Sequence, residues 1–178
     1  KGIHVVRTLD DSLALRSELH PGTKVVVIGA GFIGLEVAAT ARARGCEVVV
    51  LEGADAPMMR GLGAEMGHAA AMVHKDNGVT MAFNVRVTGL TQGQPGHVGG
   101  VNVQDGPMIV ADVVVVGIGV SPATQWLEET SLTLRDGVVC DETLNAGIEG
   151  VYAAGDVCRW YNNLYDKEMR VEHWTTAS

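Results

Sequence analysis

The sequence predicts an α/β fold, with a parallel sheet, helices and a small antiparallel β-meander in three layers. Three observations carry this. KVVVI at 24–28 and EVVVLE at 47–52 are β-branched, apolar runs, as expected of strands buried on both faces in a parallel sheet. Between them lie a glycine turn and a helix-spaced stretch, and strand–helix–strand implies a right-handed crossover with parallel pairing. From Val85 to Val110 the pattern shifts to short alternating segments split by glycines and by Gln94-Pro95-Gly96, which reads as a meander.

In chain order, IHVV at 3–6 is a short apolar run. A helix is expected over 11–19, capped by Asp10, Asp11 or Ser12 and packed by Leu13, Leu15 and Leu19. Pro21-Gly22 breaks the chain before the first strong strand. Gly29 to Gly34 is GAGFIG, and Leu35, Ala38, Ala39 and Arg42 continue at helical spacing until Gly45 ends the helix. A second helix is expected over 62–76, with Leu62, Met66, Ala69, Ala70 and Val73 on its packed face. Val79 to Phe83 and Val113 to Val116 are further strands, the latter ending in Gly117-Ile118-Gly119. SPATQWLEETSL predicts one short helix, and GVVCDETL a short strand and turn. GVYAAGDVCRW predicts an apolar strand running into Gly155-Asp156, and RVEHWTTAS the start of a helix.

The 178 residues suit one ordinary domain or two partial ones, and with 47% hydrophobic and 19% charged residues a packed core is expected. A net charge of -8 argues against a nucleic-acid partner, whose phosphates call for a basic surface. Three cysteines, Cys46, Cys140 and Cys158, form no C-x-x-C pair. A disulfide scaffold, a metal site and a dithiol redox centre therefore lose support, and a cytoplasmic location is expected. Cys46 reads as a small core residue, and His68, His74 and His97 as surface residues. No apolar stretch approaches the roughly 20 residues of a membrane span. With no initiator Met, the chain is expected to be cut from something longer.

GAGFIG follows a strand, opens a helix and precedes an acid, Glu52, which ends the next strand 23 residues past Gly29. Together these read as a Rossmann-like dinucleotide fingerprint, the alternative being a glycine turn in a nucleotide-free α/β domain. Gly29 permits the tight turn, Gly31 lets a pyrophosphate approach the backbone, and Gly34 lets the helix pack on the strand; Phe32 and Ile33 fill the positions between. The helix N-terminus offers free N–H groups and partial positive charge. Glu52 can accept hydrogen bonds from both ribose hydroxyls of NAD and would repel the 2′-phosphate of NADP, a preference that nearby Arg60 could soften. The alternative is a solvated acid at a strand end. Gly117, Ile118 and Gly119, at the carboxyl end of a strand, either line the nicotinamide side or form a simple turn.

Taken with VVVVGIGVSP, GVYAAGDV and RVEHWTTA, this stretch resembles the FAD-dependent pyridine nucleotide-disulfide oxidoreductases, most of all the ferredoxin and rubredoxin reductases of oxygenase electron-transfer chains. The resemblance covers essentially the whole chain. It implies a linker over 1–22, an NAD-binding domain over 23–119 and part of an FAD-binding domain over 120–178. It implies NAD and FAD as cofactors and a ferredoxin- or rubredoxin-type electron carrier as partner. By resemblance, Glu36 reaches the nicotinamide carboxamide, Gly155 and Asp156 meet the FAD ribityl chain, and Trp174 lies beside the flavin ring. By spacing alone, Glu36 is a first-turn helix acid that complements the dipole. Asp156 is then a cap or turn residue and Trp174 a core tryptophan. Ala123 departs from the Asn that the family often has there. Lack of a cysteine pair agrees with the branch that reduces one-electron carriers. An NADH oxidase, a nitrite reductase subunit, a coenzyme A disulfide reductase and a nucleotide-binding module without turnover stay open as alternatives. The implied chemistry needs no side-chain nucleophile or general base, and no catalytic or metal-binding residue is assigned.

Overall fold

A computed structural model describes residues 1–172 and 177. They form two compact units, Lys1–Gly119 and Val120–Ser178. The first is built on a five-stranded, all-parallel sheet. Its strands are β1 (Ile3–His4), β2 (Lys24–Ile28), β3 (Glu47–Leu51), β4 (Thr80–Ala82) and β8 (Val113–Val116), in the order β1-β8-β2-β3-β4. A second, antiparallel sheet of β5 (Val87–Gln92), β6 (Val98–Val103) and β7 (Ile109–Val110) forms the meander. Three helices complete the unit: α1 (Leu9–Glu18), α2 (Phe32–Ala43) and α3 (Met59–Asp76). Residues 1–22 thus contribute an edge strand and a helix to this unit.

Alternation along the central strands explains why they are apolar throughout. Side chains on a strand point alternately to opposite faces. Val25 and Val27 of β2, Val48 and Val50 of β3, and Val113 and Val115 of β8 share a buried cluster with Leu15 and Leu19 and with Leu35, Ala38 and Ala41 of α2. Val26, Leu51 and Val114 point the other way and pack with Val98 and Val101 of the meander and with Ala111. Cys46 is fully buried in the helix-side cluster.

Three local expectations are corrected in this unit. The cap of α1 is Thr8, whose hydroxyl accepts from the Asp11 N–H, while Asp11 accepts from the Thr8 N–H; Asp11 is the third helical residue and closes a capping box. Leu15 and Leu19 are buried, but Leu13 is exposed. In α3 the buried residues are Gly67 and Ala71, whereas Leu62, Met66 and Val73 face outward. Close approach decides this: a Cβ on Gly67 would lie 2.3 Å from the Pro57 carbonyl oxygen, so the side without side chains seats on the loop. Gly63 also breaks the helix near its start, with φ 74° and ψ 176°.

The second unit holds a mixed sheet of β9 (Val138–Cys140), β10 (Cys158–Asn162) and β11 (Lys167–Arg170). In it β10 pairs parallel with β9 and antiparallel with β11. Leu127, Val138, Cys140, Ala146 and Cys158 form its core. The helix expected at 121–132 shrinks to a 3-10 turn at Gln125–Leu127, since Pro122 precedes it and few residues there are buried. The strand expected to run into Gly155-Asp156 instead follows them as β10, and residues 150–154 contribute only the bridge Asn145–Tyr152. The helix start expected at the C-terminus lies largely outside the described residues. Among the described residues no helix is long and apolar enough to cross a membrane, and no His, Cys, Asp and Glu cluster could hold a metal ion.

Candidate functional site

The GAGFIG turn joins the carboxyl end of β2 to the amino end of α2, and the ends of β3 and β8 flank it. The Gly29 N–H donates to the Leu51 carbonyl at 2.8 Å, and the Gly117 N–H to the Ile28 carbonyl at 2.8 Å. The three strand ends are thereby tied together. Gly29 has φ +98°, and a Cβ there would lie 2.4 Å from the Gly117 carbonyl oxygen. Both facts restrict the position to glycine. A Cβ on Gly34 would lie 2.1 Å from the Gly29 carbonyl oxygen, so α2 touches the turn backbone to backbone.

Gly31 differs from both. Its φ of -75° and ψ of -177° suit any residue, and a Cβ there would meet nothing within 4 Å. It is the N-cap of α2 and supplies no side-chain cap. The first N–H groups of a helix have no intrahelical partner, so the open space beside the Gly31 Cα lies next to the free donor end of α2. A polar, anionic group fits there.

Glu52 sits just past β3, half-buried. One carboxylate oxygen accepts from the Ala30 N–H at 2.7 Å and the other from the Ala54 N–H at 2.9 Å. An ionised carboxylate has about four acceptor sites, so capacity remains for ribose hydroxyls. Ala30 and Ala54 escape a sequence reading because they act through backbone N–H groups that no residue type announces. Phe32 is 58% and Ile118 71% exposed, with Ile33 also exposed, giving the turn an apolar surface beside its donors. The Phe32 ring lies over Gly61, where a Cβ would come within 3.3 Å of it. Arg60 is exposed on the first turn of α3. Gly119, with φ +137° and open surroundings, closes the unit.

Glu36 is exposed on α2, which begins at Phe32 and has no acid in its first turn. That corrects its reading as a first-turn acid: it lies one turn further along, where the helix dipole acts less on it. His68 and His97 are exposed, while His74 is half-buried and its pKa is lowered by that burial.

In the second unit Gly155 is buried, with φ +72°, in a 3-10 turn at Gly155–Val157. Asp156 is exposed, and its carbonyl accepts from the Arg170 guanidinium at 3.1 Å. Arg170 is held by Asp136 and Glu172, and Arg159 by Asp136 and Glu168, so a charged lattice fixes the strand that follows the turn. Trp174 lies outside the described residues.

Comparison with known proteins agrees with this fold. The chain is 41% identical over 155 residues to rhodocoxin reductase of Rhodococcus erythropolis, which covers 87% of this chain and 36% of that protein. It is 36% identical over 174 residues to the anthranilate 1,2-dioxygenase system ferredoxin–NAD(+) reductase component of Burkholderia cepacia, covering 98% of this chain and 42% of that one. Among solved structures, the covalent putidaredoxin reductase–putidaredoxin complex superposes with a TM-score of 0.92 at 30% identity, covering 99% of this chain and 42% of the matched one. The chain thus spans about two fifths of the length of these relatives. The pyridine nucleotide-disulphide oxidoreductase family matches residues 1–178, and the chain belongs to that family.

Proposed function

We propose that this chain is the NADH-binding portion of a flavoprotein reductase that serves a ferredoxin- or rubredoxin-type electron carrier. The observation that carries the reading is the pairing of open space at Gly31, beside the unpaired donors of α2, with the Glu52 carboxylate at the end of β3. Relatives named as ferredoxin–NAD(+) reductase components support the carrier class. The chemistry that the two bound cofactors supply is hydride transfer from nicotinamide to flavin, followed by single-electron delivery to the carrier.

The chain's own residues bind and orient. Gly31 and the first turn of α2 take the pyrophosphate. Glu52 takes the adenosine ribose and disfavours a 2′-phosphate by charge repulsion. Arg60 borders the adenosine end. Phe32, Ile33 and the segment from Gly117 to Gly119 face the nicotinamide ribose and ring, with Glu36 toward the carboxamide. Gly155 and Asp156 contribute to the flavin side, with Trp174 beside the ring. In domain terms, residues 23–119 bind NAD(H) and 120–178 form part of an FAD-binding domain. Three buried free thiols suit the cytoplasm.

The purified 178-residue chain should bind NADH and be colourless, because Gly155, Asp156 and Trp174 alone give few flavin contacts. A yellow protein with stoichiometric flavin refutes the division of labour. In the longer flavoprotein, NADH should bleach the flavin absorbance and electrons should reach a ferredoxin-type acceptor. A flavin that NADH leaves oxidised refutes the function.

A further inference from the structure

We infer that Met58 is a positioning residue for the pyrophosphate turn; the inference rests on the NADH reading above. Met58 is a non-glycine residue in the left-handed region, with φ 53° and ψ 23°, at the N-cap of α3. In that conformation its N–H donates to the Ala30 carbonyl at 3.0 Å. Glu52 holds the other side of Ala30, accepting from its N–H at 2.7 Å. The two peptides that flank Ala30 are therefore fixed from separate places, one by a carboxylate and one by a backbone donor.

The second of these peptides ends in the Gly31 N–H. A trans peptide is planar, with its C=O and N–H pointing in opposite directions. Holding the Ala30 carbonyl on Met58 thus aims the Gly31 N–H away from the 54–58 loop, and no described residue accepts from it. A Cβ on Gly31 would meet nothing within 4 Å, so the space beside its Cα is open. The anchor is itself packed in place. Ala56 and Pro57 are fully buried, the Ala54 carbonyl accepts from the Asn84 N–H at 3.0 Å, and α3 seats Gly67 on the Pro57 carbonyl. Free glycine turns sample many orientations; Met58 selects one.

The test separates backbone conformation from side-chain packing. A β-branched residue tolerates the left-handed region poorly, whereas glycine adopts it freely. Met58→Val should weaken NADH binding by about five- to tenfold, the effect of a lost hydrogen bond and a freed turn. Met58→Gly should bind NADH within about twofold of wild type, although it loses a side chain that packs on the core. Adenosine, which has no pyrophosphate, should bind both variants as it binds wild type. Thermal unfolding confirms that each variant is folded, and if Met58→Val does not fold, Met58→Gly alone decides. Wild-type affinity in Met58→Val overturns the inference. So does a loss in Met58→Gly of the size expected for valine, which would mean packing rather than orientation, and so does an equal loss of adenosine. Failure of the wild-type chain to bind NADH overturns the functional reading instead.

Discussion

Gly31 and Gly34 lie three residues apart in one motif, yet the structure separates their roles, and replacing each with alanine should expose the difference. A Cβ on Gly34 would lie 2.1 Å from the Gly29 carbonyl oxygen and 3.2 Å from a Val27 methyl. The first is a backbone contact, so α2 or the turn must shift. Overpacking of this kind costs about 1–3 kcal/mol, occasionally more. Alanine returns up to about 1 kcal/mol of helix propensity. Gly34→Ala should therefore lose about 1–2 kcal/mol net, a drop in Tm of about 5–10 °C for a unit of this size. A Cβ on Gly31 meets nothing within 4 Å, and the backbone there suits any residue, so Gly31→Ala should lose only the N-cap preference for glycine over alanine, about 1 kcal/mol or less. The methyl instead occupies the space proposed for the pyrophosphate, and NADH affinity should fall at least about tenfold, or about 1.4 kcal/mol. Far-ultraviolet circular dichroism melts and NADH fluorescence titrations read the two effects. An unchanged melt for Gly34→Ala, or unchanged NADH affinity in Gly31→Ala, refutes the reasoning.

Other outcomes follow from the same geometry. Glu52→Gln keeps the shape but turns an acceptor into a donor, so either Ala30 or Ala54 loses its partner; a stability loss of about 1–2 kcal/mol by denaturant titration, with weaker NADH binding, is expected. Cys158 is buried beside Cys140, which pushes its thiol pKa up to about 12, and Cys46 is raised by burial as well. Iodoacetamide at pH 8 should leave all three cysteines unmodified in the folded chain and modify them in denaturant, as mass spectrometry would show. Burial alone would raise the Glu168 pKa, but hydrogen bonds from Arg159 and Arg135 outweigh it and hold the group below its ordinary 4.5; Asp141 is held below 3.8 mainly by the Thr143 hydroxyl and N–H. A depressed folded pKa adds stability above the ordinary value and loses it as pH falls through the folded one. The second unit should therefore weaken below about pH 4. Its three tryptophans, Trp126, Trp160 and Trp174, report that unit alone by fluorescence, and Glu168→Gln should flatten the acid dependence.

Much of the first unit was legible because burial on two faces imposes a pattern that one residue at a time can show. Val25 to Ile28 and Val48 to Leu51 are apolar without alternation because helices cover one face of the sheet and the meander the other. The glycine turn was legible for a related reason, since Gly29 and Gly34 have steric demands that no other residue meets. The face of α3 was not. Leu62, Met66 and Val73 have the spacing of a core stripe, but Gly67 gives closer backbone approach, and that preference is invisible to hydrophobicity. Nor could the sequence show that Ala30, Ala54 and Met58 hold the turn, because each acts through its peptide. In the second unit, strands of three to five residues and 3-10 turns leave periodicity too little length to act on.

The central claim is that Gly31 and Glu52 form an NADH site, and equilibrium titration of the 178-residue chain with NADH and NADPH in parallel tests it most directly. NADH should bind, and at least about tenfold more tightly than NADPH, because the Glu52 carboxylate opposes a 2′-phosphate. No binding of NADH, or tighter binding of NADPH, would contradict it.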